Sequence, residues 1–156
     1  MGFQTGFARR SQSGFSLIEL LIVLVVIAVI VAIAVPNLVE GKKATNEASA
    51  IASMRSICTA ELVYANTLGS GKFAASLNAL QNAGILDPVI CSGTKDGYNF
   101  TLATVNNDID FNAIAVPVTV GKTGYRGFYT DATAVIRFSA DGSPPNSTSP
   151  PIPTIK

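Results

Sequence analysis

The hydrophobic pattern has one dominant feature. From Leu20 to Val35 all sixteen residues are apolar, and ten of them are Val or Ile. In water such β-branched residues would favour a strand. Sixteen residues is long for a strand, however, and lipid requires every backbone polar group to be satisfied within the segment, so a helix is expected. At ~1.5 Å per residue the block extends about 24 Å, and Phe15–Glu19 brings it to about 31 Å. That length fits a hydrocarbon core of ~30 Å. Pro36 follows at once, and a helix continuing past it loses one hydrogen bond there.

Beyond Pro36 the pattern changes to one of three- and four-residue spacings. Ala44, Ala48, Ile51, Met54, Cys58, Leu62 and Ala65 form one apolar stripe, with Lys42, Lys43, Asn46, Ser49, Ser53 and Ser56 largely on other faces. Gly69-Ser70-Gly71 predicts an end near Leu68, which gives a helix of about 50 residues, half apolar and half amphipathic. Ser76–Ala83 predicts a short helix capped by Gly84, and Asp87-Pro88 a turn. Strand-like runs follow at Tyr98–Val105, Phe111–Val120, Arg126–Thr130 and Ala134–Ser139. Asn106-Asn107-Asp108 and Asp131-Ala132 suit hairpin turns, and Gly121–Gly124 a longer loop. Pro117 within the second run suggests an edge or a bulge. The expected fold is α+β: a long N-terminal helix packed on an antiparallel meander of about four strands.

Composition narrows the function. The net charge is only +1, there is no histidine, and Cys58 and Cys91 lack CxxC spacing. A histidine-based centre or a zinc site is not expected, and neither a phosphate-binding loop nor a GxSxG elbow occurs. The sequence therefore predicts no enzyme, no cofactor and no metal. Nucleic acid is not expected to bind directly, because Lys42, Lys43 and Arg55 are few and lie on a helix expected to be covered.

Residues 1–14 carry Arg9 and Arg10 and no acid, the start of a signal peptide or signal anchor. Proline after Ile33-Ala34-Val35 disfavours cleavage at the far end, so a retained membrane helix is the reading. The positive-inside rule leaves the arginines cytoplasmic and exports the C-terminal domain. Glu19 is the anomaly, since a carboxylate at the centre of a membrane helix costs roughly 2.5–3.5 kcal/mol, less towards an end. Two readings stand: snorkelling to the headgroups, or pairing with a positive partner inside the membrane.

Gly14-Phe15-Ser16-Leu17-Ile18-Glu19, the basic leader before it and the apolar run to Pro36 closely resemble the processing site of type IV pilins and type II secretion pseudopilins. The resemblance covers the first third of the chain. It implies a leader (1–14) removed between Gly14 and Phe15 by a prepilin peptidase that also methylates the new amine of Phe15. It implies a transmembrane and filament-core helix over 15–39 and an exported globular domain over 40–140. It also implies that Glu19 pairs with the Phe15 amine of a neighbouring subunit. Two unit charges ~4 Å apart at an effective dielectric of 20 attract by about 4 kcal/mol, comparable with the cost of Glu19 in lipid. Pro36 would be a soft joint. The expected partners are further copies of the chain, the peptidase/N-methyltransferase, pilus or secretion assembly machinery and inner-membrane lipid. The expected location is the bacterial inner membrane as a single-pass protein, then a surface pilus or periplasmic pseudopilus.

The leading expectation is a filament subunit. The alternatives are a secretion pseudopilin and a membrane-anchored binding domain that never polymerises. Cys58 and Cys91, in an oxidising exported domain, are expected to form a disulfide worth ~3–4 kcal/mol by loop closure. Such a bridge departs from the family's common pair near the C-terminus. Asp131 and Asp141 are read as turn residues rather than calcium ligands. Residues 141–156, with their prolines, are expected to be an extended flexible tail.

Overall fold

The computed structural model describes residues 14–153. Arg9, Arg10 and the rest of the leader before Gly14 lie outside the described residues, as do 154–156. The chain divides into two compact units, one ending at Asn37 and the other beginning at Leu38. Helix α1 (Leu17–Thr67) supplies the first and enters the second without a break in helical structure, Pro36 included.

In the second unit α1 ends at Thr67, and Gly69-Ser70-Gly71 turns the chain away. Helix α2 (Leu77–Asn82) begins at Ser76, whose side chain accepts from the Ala79 N–H, and stops before Gly84 at a φ of 69°. Asp87-Pro88 starts a short helix rather than a simple turn. Asp87 caps α3 (Pro88–Cys91) by accepting from the Val89 N–H, and Pro88 occupies the first helical position, where no N–H is needed.

Five strands follow: β1 (Thr94–Lys95), β2 (Tyr98–Val105), β3 (Asp110–Pro117), β4 (Gly127–Asp131) and β5 (Arg137–Ser139). They pair in sequence order and antiparallel throughout, an α+β fold with a meander sheet. The strand additional to the four expected is the two-residue β1, too short to show a period. Asn106, Asn107 and Asp108 make the β2–β3 turn with φ of 53°, 59° and 67°, a left-handed region that Asn and Asp tolerate. Ala134 has a φ of 58°, so no strand begins there and β5 is shorter than expected. Pro117 marks neither an edge nor a bulge. It ends the central strand β3, beyond Ala115, the last β3 residue paired with β4, and so lacks no ladder bond on that side.

The core lies between α1 and the sheet. Met54 and Ile57 from the helix and Tyr98, Phe111 and Phe128 from the strands are fully enclosed, with Leu80, Leu86 and Ile90 closing one side. Alternation on β3 buries Phe111, Ala113 and Ala115 on one face, the period-two pattern of a half-covered sheet.

The buried stripe of α1 differs from the expected one. Met54 and Cys58 are buried, but Ala44, Ala48 and Leu62 are exposed; Lys43, Glu47, Ala50, Ser53, Ile57, Ala60 and Glu61 complete the covered face. The reason is that three of these positions are charged and each has a partner. Glu47 accepts from the Tyr125 and Arg126 N–H groups at 2.8 and 3.2 Å and from Arg126 Nε at 2.7 Å. Lys43 Nζ donates to Glu40 at 2.7 Å and to the Tyr125 hydroxyl at 2.8 Å, above whose ring it also lies. Glu61 accepts from the Ala74 N–H at 2.8 Å. A buried polar group is tolerated when it is hydrogen-bonded, and these bonds attach the helix to the loops that cover it.

Two further expectations are corrected. Cys58 and Cys91 are both buried and both free. The Cys91 Sγ is directed to the Leu86 carbonyl. Burial pushes both thiols above their ordinary pKa, which lowers the reactive thiolate fraction. The proline-rich segment is not a loose tail over the described residues. Phe138 N–H donates to the Pro150 carbonyl, Ile152 N–H to Ile136, and Arg137 pairs with Pro151. Pro145 is buried and Ile152 packs against the core.

Candidate processing and assembly site

The first described residues place the predicted junction outside regular structure. Gly14, Phe15 and Ser16 precede the helix, and Phe15 is 84% exposed. A peptide bond must be extended to enter a protease cleft, so a junction in non-helical chain just ahead of a helix suits cleavage. Phe15 would become the new N-terminus two residues before α1 begins.

Ser16 stands at the N-cap position and Glu19 at the third helical position. The Glu19 Oε2 accepts the Ser16 N–H at 3.2 Å. This is the backward-reaching half of a capping box, and it sets negative charge at the positive end of the helix macrodipole. The carboxylate is therefore held one residue from the atom that cleavage would convert into an amine.

The apolar run has no covering partner among the described residues. From Leu17 to Val35 every large apolar side chain is between 47% and 82% exposed. The helix is long and apolar enough to cross a membrane. An apolar surface of this size is stable only against lipid or other apolar helices. At its end Pro36 supplies no N–H, and the Asn37 side chain donates to the Ile33 carbonyl at 3.1 Å. Helical structure therefore persists through the proline with a side-chain bond added just beyond it.

Gly14, Phe15 and Ser16 thus stand in succession just ahead of the helix and Glu19 reaches back to Ser16, while Pro36 stands at the other end of the apolar stretch. Cys58 and Cys91 lie in the second unit and belong to no such site. Asp131 accepts from the Thr133 N–H and hydroxyl, and Asp141 from those of Ser143, so both carboxylates serve their own turns. Lys43, Glu47, Tyr125 and Arg126 are the residues that sequence reasoning missed. Charges recurring on the stripe positions of an amphipathic helix, with an isolated arginine in a later loop, were the available signal.

Residues 9–35 match the family described as the prokaryotic N-terminal methylation motif. The match covers the end of the basic leader, the Gly14–Phe15 junction, Glu19 and the whole apolar run. The chain carries the signature of type IV pilins and pseudopilins, and the prepilin peptidase is the processing enzyme that this motif implies. Comparisons with curated proteins and with solved structures give no match.

Proposed function

We propose that the chain is a structural subunit of a type IV pilus-like filament, with no enzymatic role. The supporting observation is Glu19, a carboxylate in the first turn of a helix whose stretch from Leu17 to Val35 is otherwise apolar and exposed, beside the junction that processing opens. The chain resides in the inner membrane by its single apolar helix, with the domain from Leu38 onward on the outer side. Prepilin peptidase cuts after Gly14 and methylates Phe15.

Cleavage removes Arg9 and Arg10 and creates a cation next to the residue that Glu19 already caps. Assembly then exchanges the lipid around the apolar helix for the helices of other copies. Glu19 gains the Phe15 amine of a neighbour, and the attraction of about 4 kcal/mol at an effective dielectric of 20 offsets the carboxylate's cost in lipid. Because the pair closes at only one axial step, it also sets the register. Pro36 is the joint at which the helix adapts between lipid and filament.

Mass spectrometry of filaments sheared from producing cells tests this reading. The expected result is this chain beginning at methylated Phe15. A processed chain recovered only with a secretion complex would assign it to the pseudopilins, and an uncut chain would remove both.

A further inference from the structure

The loop from Val118 to Tyr125 carries an unusual surface for its place in the chain. Val118 and Val120 are 51% and 52% exposed, Tyr125 is 43% exposed, and Lys122 projects from the same short turn. Hydrogen bonds fix this loop to the first residues of α1 in the second unit. The Tyr125 hydroxyl donates to Glu40 at 3.2 Å and accepts from Lys43 at 2.8 Å, and Asn46 Nδ2 donates to the Thr123 carbonyl at 2.8 Å. Gly124 is pressed against the Tyr98 ring, so closely that no larger residue fits, and this holds the loop in place.

Glu40 follows Asn37 by three residues. Even a fully extended chain of that length reaches only about 11 Å, a few ångström beyond a headgroup layer that is roughly 5–8 Å thick on each side of the hydrocarbon core. A loop bound to Glu40 and Lys43 is therefore confined to the membrane surface whenever the apolar helix is in lipid. Its composition suits that layer: an amphipathic tyrosine, two valines and the exposed cations Lys42 and Lys122. Both acids that touch the loop are already paired, Glu40 with Lys43 and Glu47 with Arg126, each at 2.7 Å.

We propose that the Val118–Tyr125 loop, with Lys42, is a lipid-docking surface that seats the membrane-stored subunit on anionic phospholipid headgroups. Docking places Tyr125, Val118 and Val120 at the interface and Lys42 and Lys122 against phosphates. Extraction of the subunit then has to break this contact as well as remove the helix from lipid. The inference rests on membrane storage through the apolar helix.

The chain has no tryptophan, so a single substitution supplies a unique probe. Full-length Tyr125→Trp and, independently, Val120→Trp would be reconstituted into phosphatidylcholine vesicles with and without phosphatidylglycerol. Quenchers would be shallow spin-labelled lipid and aqueous iodide. The expected result is blue-shifted emission, quenching by the shallow lipid and protection from iodide, all stronger with phosphatidylglycerol. Each of Lys42→Gln and Lys122→Gln is expected to shift the docked–undocked equilibrium by about fivefold, from the usual worth of one basic residue at an anionic surface. Val135→Trp, in the β4–β5 turn, should stay open to iodide. Vesicle-bound protein whose loop probes remain iodide-accessible would overturn docking while leaving anchoring intact. Failure to float with vesicles at all would overturn the anchoring itself.

Discussion

From Leu17 to Val35 no large apolar side chain is less than 47% exposed, whereas in the unit from Leu38 the side chains of Met54, Ile57, Tyr98, Phe111 and Phe128 are wholly enclosed. The same helix runs through both units, so the contrast is one of partner and not of local conformation. The first unit has only itself, and a lone helix cannot bury its own surface. The second has a five-stranded sheet and two loops fastened by buried polar residues. One unit must find its partner in lipid or in other chains; the other has its partner built in. This division would let the proposed subunit exchange lipid for other helices without refolding its domain.

The largest expected effect comes from separating the two. Removal of residues 1–37 should give a monomeric, folded, detergent-free domain by size-exclusion chromatography and circular dichroism, while the full chain requires detergent or lipid. A truncated domain that aggregates or melts would show that the second unit is not self-sufficient. Next comes Glu19→Ala, expected to abolish incorporation into filaments while processing, membrane insertion and the melting of the domain stay unchanged. Normal filaments built from that variant would end the pairing model. The two experiments divide cleanly, because among the described residues Glu19 hydrogen-bonds only to Ser16, just ahead of its own helix.

The first unit was largely legible because its signals are one-dimensional. An unbroken apolar run, a basic leader and an acid at a set spacing need no knowledge of tertiary contacts. Strand β2 and the end of α1, within one residue of expectation, were legible for the same reason: strict alternation and a Gly-Ser-Gly stop. The stripe on α1 was misread because an apolar search passes over Lys43, Glu47 and Glu61, whose burial depends on partners 13 to 82 residues away in the chain. The proline-rich segment was misread because proline cannot donate to a strand, yet the Pro150 carbonyl accepts from Phe138 well enough. The cysteine pair was misread because compartment and count say nothing of direction. Cys58 and Cys91 are free thiols in the same core, with the Cys91 Sγ directed to the Leu86 carbonyl.

Within the second unit the comparison sharpens at Glu47. Its carboxylate receives two backbone N–H groups and the Arg126 guanidinium. Glu47→Ala leaves those donors without a partner in a half-buried loop and is expected to cost about 3–4 kcal/mol in a urea titration. Glu47→Gln, which retains an acceptor oxygen, should recover part of that loss. Equal loss in both variants would mean that the charge, and not the backbone bonding, holds the loop.

Glu61 gives the smallest effect, and one that should vanish at a single substitution. It is fully enclosed, with one carboxyl oxygen on the Ala74 N–H and the other without a partner. Burial pushes its pKa up from 4.5 to about 7, a rise that the Ala74 hydrogen bond only partly opposes. The folded chain thus holds a proton that the unfolded chain releases. Stability from this group is fully present below about pH 4.5 and is lost as pH rises through about 7. The linkage amounts to about 2.5 kcal/mol between pH 5 and pH 8. Urea titrations across that range should show the decline, and Glu61→Gln, neutral at every pH, should flatten it. If the slope survived Glu61→Gln, the proton would belong to another group, and the enclosed carboxyl would have to find its second partner by local rearrangement.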